Sequence, residues 1–322
     1  MHRRYGILHK FNSMVIFFIL IFVFINIFPD LYSCRADSGN AFYVGGTGIG
    51  NYTTVQDAIN NSSNYDSIYV YNGIYYENLL INKSINLVGF DKNSTFINSN
   101  NSLYTILIRS SMVNITGFTI KNGKVGIYIS GFNYSFNNII DNTITDNWEG
   151  IRLYNSSNNK IYSNIIRNNS NYGILLFEAK NNHIFDNIVK DEAHGIYLGR
   201  WSDKNVINKN NFTENGIGIS LDYSYSNLLY DNSIMNNTVG ISFSYSNNNN
   251  ATNNIIEYND QCGIYISYSD NNVIFPNSFS NNYENVKEES KPPTIKAPSF
   301  EIFSVICAML LVLFFRLKVL KF

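Results

Sequence analysis

The apolar positions of this chain fall into one short phrase that recurs at a nearly constant interval between residues 126 and 279. Each phrase is a glycine set in an apolar alternation: VGIYIS at Gly126, EGIRLY at Gly150, YGILLF at Gly173, HGIYLG at Gly195, IGISLD at Gly218, VGISFS at Gly240 and CGIYIS at Gly263. The glycines are 24, 23, 22, 23, 22 and 23 residues apart. Pairs such as Ile127/Ile129, Ile151/Leu153 and Ile241/Phe243 direct every second side chain to one side. That alternation predicts short strands with one face in a core. A second phrase, Asn-x-apolar-x-x-Asn-x-apolar, keeps the same period, with its second asparagine at Asn142, Asn164, Asn187, Asn210, Asn232, Asn254 and Asn277.

One such unit cannot bury its own apolar face, whereas stacked units share a continuous core. A repeat of about 22 residues with two or three short strands per turn therefore predicts an all-β fold, a parallel β-helix. Leucine-rich repeats share the period but require Leu-x-x-Leu-x-Leu spacing and a helical half, and the Asn- and Ser-filled connections here have no helical period. Asparagines recurring at one coil position are expected to stack, each amide bonding to the next coil. Less regular strands (SIYVY, ENLLI, INLVGF, YTILI, MVNITGFTI) precede Gly126. Before them TTVQDAIN predicts a short helix, with a capping box of Thr53 and Gln56, that closes the N-terminal end of the stack.

The GIYL-type strands with N-x-I-x-x-N-x-I resemble the right-handed parallel β-helix repeats of the NosD-like family, grouped with carbohydrate-binding and sugar-hydrolase β-helices of pectate-lyase-like architecture. The upstream text YVGGTGIGNYTTVQDAINNSSNYDSIYVYNGIYYENLLINKSINLVGF resembles the opening coils of archaeal and bacterial surface proteins of that kind. Together these cover roughly residues 41–285. The resemblance implies a fold more than an activity.

Hydrophobic segments flank the repeats. Residues 1–36, with Arg3, Arg4 and Lys10 ahead of an apolar run and Ala36 after it, read as a signal peptide, with a permanent anchor helix or a lipoprotein box at Cys34 as alternatives. The β-helix domain is expected over residues 37–285, and a charged, proline-bearing linker over 286–298. Residues 299–322 join Phe300, a short apolar run and the basic Arg316, Lys318 and Lys321, and read as a C-terminal membrane anchor that leaves the repeats outside. This tail resembles the PGF-CTERM class of archaeal surface-sorting signals, with Ser299 where that class has glycine, which implies a sorting protease as a partner. Cys262 is the one cysteine of the repeats, so no disulfide framework is expected there. Sequons at Asn51, Asn82, Asn114, Asn155, Asn168 and Asn211 are acceptors for glycosylation in an exported chain.

Charge adds little. Twenty-three Lys and Arg against 24 Asp and Glu leave a net charge of -1, which gives no argument for nucleic acid. Aligning the repeats places Glu178 beside Arg200, and Asp186, Lys209 and Asp231 in a row, which predicts cross-coil ion pairs. A Ca²⁺-dependent lyase would require a column of carboxylates and a glycosidase a facing pair. Neither pattern emerges, and Ca²⁺ enters as a cofactor only in the lyase reading. The catalytic candidates are Glu149, Glu178, Asp191 and His194, the last two in the segment DEAHG. A copper role, implied by the NosD resemblance, would require converging His, Cys or Met, and the repeats offer a dispersed set: His183, His194, Met112, Met235 and Cys262. The aromatic signal is stronger. Tyr223, Tyr245 and Tyr268 share one coil position, Tyr128, Tyr197 and Tyr265 share another, and Trp148 and Trp201 lie in turns near Arg152 and Arg200. A row of outward rings stacks on sugar faces or, alternatively, on itself. Tyr223, Tyr245, Tyr268 and Trp201 are thus the ligand-binding candidates. The expected function is a secreted, surface-anchored module that contacts an extracellular polysaccharide or builds the envelope. A lyase, hydrolase or epimerase, and an accessory role in copper-site maturation, are the alternatives.

Overall fold

The computed structural model describes residues 39–289, and the expected signal, C-terminal anchor and most of the linker lie outside them. Thirty strands and one helix wind into a parallel β-helix with three ten-stranded sheets. Each turn contributes one strand to each sheet, and every pairing is parallel between successive turns: Ile127 faces Ile151, which faces Ile174, then Ile196, Ile219, Ile241 and Ile264. The glycine phrases form the long-strand sheet, with six-residue strands such as Glu149–Tyr154 and His194–Gly199. The Asn-x-apolar phrases supply two short-strand sheets, exemplified by Lys160–Tyr162 in the first and Ile165–Arg167 in the second.

Inward residues from all three sheets form one core that runs the length of the stack, and nearly all of it is fully buried Ile, Leu, Val and Phe. The phrase glycine is a requirement of coil spacing. A Cβ at Gly150 would lie 2.5 Å from the carbonyl oxygen of Gly173. Pairing skips this residue, going from Glu149↔Tyr172 directly to Ile151↔Ile174, so the residue before each glycine starts a column of its own.

Recurring asparagines stack as expected, in three buried corner ladders: both asparagines of the Asn-x-apolar-x-x-Asn phrase form one each, and the turn ahead of the glycine phrase carries a third. The expected row runs from Asn142 to Asn277, with Nδ2 of Asn164 donating to Oδ1 of Asn187 at 3.0 Å and Asn187 to Asn210 at 2.9 Å. A second runs from Asn137 through Asn159, Asn182, Asn205, Asn227 and Asn249 to Asn272. The third starts at Asn147 and Asn169, reaches Glu192, and resumes at Asn215, Asn237, Asn259 and Asn282. Other asparagines, among them Asn158, Asn168, Asn181 and Asn248, adopt left-handed backbone at the turns, a conformation that asparagine tolerates better than most residues. Much of the Asn excess therefore has a structural use.

Helix Val55–Asn61 lies at the N-terminal end with Val55, Ala58 and Ile59 buried, as expected of a cap. Its capping residues fall one position later than the Thr53/Gln56 box: Thr54 is the N-cap, its Oγ1 accepting from the Asp57 amide at 3.2 Å. Glu77 accepts from the amides of Val55 and Gln56 at 2.8 and 2.9 Å, so the first turn is satisfied from the neighbouring coil rather than by Gln56. At the other end, the expected linker begins as a strand. Val286–Glu289 pairs with Cys262–Ser267, because Val286 continues the core column above Ile264.

Candidate functional site

The outer face of the long-strand sheet gathers the unusual chemistry. Two columns cross it side by side. The column before the glycine reads Glu149, Tyr172 and His194 on successive coils, and the column two after it reads Tyr128, Arg152, Leu175, Tyr197 and Ser220. Tyr104 and Tyr128 stack with ring centres 4.9 Å apart, and the Arg152 guanidinium lies 5.7 Å from the Tyr128 ring centre. Arg152 also pairs with Glu149 at 3.5 Å. The Tyr172 ring then meets His194 at 5.3 Å and Tyr197 at 5.1 Å. Tyr197 Oη donates to Asp222 Oδ2 at 3.0 Å.

Asp222 leads directly into Tyr223 at the rim. Tyr223, Tyr245 and Tyr268 stack in sequence, with centroids 4.8 and 4.9 Å apart and planes within 1° and 11°. Trp201 extends the same backbone row, its amide donating to Tyr223 O at 2.8 Å, and all four residues have left-handed φ of 47–57°. The ladder rings use their faces on one another, so between Tyr223 and Tyr268 the rim offers ring edges and hydroxyls rather than open faces.

Buried polar atoms without partners concentrate here. Glu149 Oε2, Arg152 Nε, Glu192 Oε2 and His194 Nδ1 are buried and make no hydrogen bond, and all four lie within three successive coils. Burial pushes the Glu149 carboxyl up, against the opposing pull of Arg152 and Lys124, and lowers the His194 pKa. Glu192 is pushed up to about 8 by burial, an effect that the hydrogen bonds from Asn169 only partly offset. Burial, and then Asp222, raise the Tyr197 phenol.

Of the four catalytic candidates, the fold brings Glu149 and His194 onto one column with Tyr172 between them. Asp191 is exposed in the preceding turn and pairs with Lys190 at 3.2 Å, leaving its neighbour Glu192 as the buried acid of that segment. Glu178 belongs to the rim, where its amide donates to Arg200 O at 3.1 Å. The expected ion pairs between Glu178 and Arg200, and along Asp186, Lys209 and Asp231, do not form among the described residues, whose five ion pairs involve other groups. Left-handed φ at Glu178, Asp186, Lys209 and Asp231 turns these side chains at corners rather than along a strand face. Sequence reasoning missed Tyr172, and it had Arg152 and the acids Glu192 and Asp222 in view without grouping them. Reading the columns one before and two after each glycine would have brought the first two together.

The architecture and this decorated face define a right-handed parallel β-helix with an exposed aromatic and charged long-strand surface. The chain belongs to the NosD family: the family described as periplasmic copper-binding protein (NosD) matches residues 59–239, and the right-handed beta helix region matches residues 194–288. Over 104 residues it is 39% identical to a cell surface glycoprotein of Methanothermus fervidus, a stretch that is 30% of this chain and 17% of that protein. Similar solved structures include the enzymatically active domain of tailspike protein 2 of bacteriophage CBA120 (TM-score 0.54, 15% identity, 78% of this chain and 46% of that one). The Dettilon tailspike protein (TM-score 0.53, 14% identity, 77% and 62%) is another, as is a PL6 family alginate lyase, AlyGC (TM-score 0.53, 14% identity, 71% and 38%). The chain spans less than two thirds of each of these proteins, and at such identities the likeness is one of fold.

The family name implies copper, and the described residues do not fit it. Among them no group of three or more His, Cys, Asp or Glu could hold a metal ion. His183 lies on the first short-strand sheet with Nε2 bonded to Asn208 Oδ1 at 2.7 Å, whereas His194 is on the long-strand sheet. Cys262 is buried, and burial raises its thiol pKa, which opposes thiolate ligation.

Proposed function

We propose that the protein is an exported β-helix of the cell surface that holds a polysaccharide along its long-strand face as a binding module, tethered through residues 299–322. One observation carries the reading. Rings, a guanidinium and hydroxyls line the long-strand face from Tyr104 to Tyr197 and meet the Tyr223 to Tyr268 rim at Asp222, and on that face Arg152 Nε and His194 Nδ1 make no hydrogen bond. Rings with one exposed face stack on sugars, and half-satisfied polar groups gain most from a hydroxyl-rich ligand. The surface glycoprotein relative and the periplasmic family support a location outside the cytoplasm. Its fold neighbours include enzymes, and a lyase, hydrolase or epimerase is the competing reading.

A polysaccharide panel incubated with the full chain, scored for both retention and released product, with and without Ca²⁺, separates the two. Retention without product, weakened about tenfold by Tyr172→Leu, is the expected result. Unsaturated or shortened sugars would replace the binding reading with catalysis at Glu149, Tyr172 and His194.

A further inference from the structure

The second short-strand sheet carries a separate cleft of about 340 Å³ on its outer face, lined by Phe96, Lys121, Thr143, Thr145, Ile165 and Arg167. Register explains its composition. Phe96, Thr119, Thr143 and Ile165 follow one another on successive coils, and beside them run Lys121, Thr145, Arg167 and Lys190. An apolar and hydroxyl column therefore lies against a cationic one.

Three features set this cleft apart from an ordinary solvated sheet face. Thr145 is only 5% exposed although it lies on the outside of the stack, and its Oγ1 has no hydrogen-bond partner. Lys121 and Arg167 flank it on the coils before and after, and among the described residues neither has a carboxylate within ion-pair distance. Lys190, one coil further, is paired with Asp191 at 3.2 Å and Glu214 at 3.7 Å, so charge pairing resumes just beyond the cleft. The one carboxylate in its wall, Asp146, belongs to an exposed turn. Lys121 Nζ lies 5.2 Å over the Phe96 ring, which holds it at the cleft edge.

We infer that this cleft is a second glycan site, on a different face from the first, and that it takes an anionic sugar. Coils rise about 5 Å each, so an acidic group above Thr145 would be roughly one coil from both Lys121 and Arg167. It would receive the unused Thr145 hydroxyl as well as both charges, while Phe96 and Ile165 accept the apolar edge of the ring or its neighbour. A pyranose chain lying parallel to the rod advances by about one coil per unit, which fits the open ends of the groove. Carboxylates and sulfate esters both meet this chemistry.

The test compares the binding of the full chain to oligogalacturonate, dextran sulfate and neutral dextran at low and high salt. The inference requires at least a tenfold preference for one polyanion over dextran, decreasing with salt. Which polyanion is preferred identifies the anionic group. Lys121→Gln combined with Arg167→Gln should erase the preference. Thr145→Val should reduce polyanion affinity severalfold with an unchanged melting temperature, because it removes a hydroxyl that bonds nothing in the free protein. Tyr172→Leu, on the other face, should leave the preference in place even if it abolishes other glycan binding. Equal affinity for all three polymers, no binding to either polyanion, or a preference that survives the double substitution overturns the inference.

Discussion

Glu192 Oε1 accepts a hydrogen bond from Asn169 Nδ2 at 2.9 Å, and the Glu192 side chain has no amide with which to continue the ladder to Asn215. Its backbone N–H still reaches Asn215 Oδ1 at 3.2 Å, but its Oε2 is buried and has no partner. A carboxylate at this corner faces acceptors on the side where every other ladder residue presents a donor. The protonated acid presents a donor there, which agrees with a pKa pushed up to about 8.

That mismatch makes stability depend on pH. Between the ordinary carboxyl value of 4.5 and about 8 the folded chain keeps a proton that the unfolded chain has released. The contribution from Glu192 is therefore complete below the lower value and is lost as pH rises, at about 1.4 kcal/mol per pH unit for one group, levelling off beyond the upper value. Glu149, also raised by burial, acts in the same direction, whereas His194, lowered by burial, favours the fold less as pH falls below its ordinary range. Comparison with Glu192→Gln isolates the one group. The melting-temperature advantage of the variant should grow from pH 5 to pH 8, and a difference that stays constant across that range would reject the assignment.

An intact ladder position should be costlier to remove. Asn187 Oδ1 accepts from both the backbone and the side-chain amide of Asn164, and its Nδ2 donates to Ile161 O, Phe185 O and Asn210 Oδ1. Asn187→Ala leaves these groups buried and unpaired, at about 1–3 kcal/mol for each that cannot relax or recruit water. The expected loss is about 3 kcal/mol or more by thermal or denaturant unfolding. Asn181→Ala, at a left-handed turn, should cost about 1 kcal/mol. Equal losses at the two positions would mean that the ladder does not hold the corner.

Much of the fold was legible because the coil repeats. The glycine phrase gave the long-strand sheet and its period, and the Asn142 to Asn277 row gave one corner. The first asparagine of the same Asn-x-apolar phrase, from Asn137 to Asn272, marked a second corner, whereas the third was harder to see, since Asn147 lies in an Asn-rich turn outside the phrase and only the closed coil shows that it points inward. Site residues were hidden for a related reason. Glu149, Tyr172 and His194 each precede a phrase glycine, so their column can be read from the sequence, but they differ in type, and only the closed coil shows that this position packs beside Arg152 and Tyr197 on the outer face. Identical residues such as Tyr223, Tyr245 and Tyr268 announce their column, whatever they do there.

Gly150→Ala probes that close approach directly. The new methyl would lie 2.5 Å from Gly173 O and 3.1 Å from Asn169 Nδ2, both fixed by the coil above. Neither atom is the end of a flexible side chain free to swing away, so the coils must separate locally. A loss of about 1–3 kcal/mol is expected, in the range of overpacked cores. A melting temperature within a degree or two of the parent would show that the glycine is not set by coil spacing.

The tyrosine rim can be tested by separating ring from hydroxyl. Tyr245 stacks on both neighbours, at 4.8 Å to Tyr223 and 4.9 Å to Tyr268, so its ring faces are occupied within the protein. Tyr245→Ala removes two ring contacts worth about 0.5–1.5 kcal/mol each, and should lower both stability and glycan retention. Tyr245→Phe keeps the stack and removes only the outward hydroxyl. If the rim contacts sugar by its edge, the Phe variant will retain the parent melting temperature and bind the polysaccharide severalfold more weakly. If the ladder serves only to hold the coils, the Phe variant will match the parent in both measurements and the loss in the Ala variant will be one of stability alone. Glycan contact would then rest on Tyr172, Tyr197 and the floor of the face, where the rings are not in a continuous parallel stack.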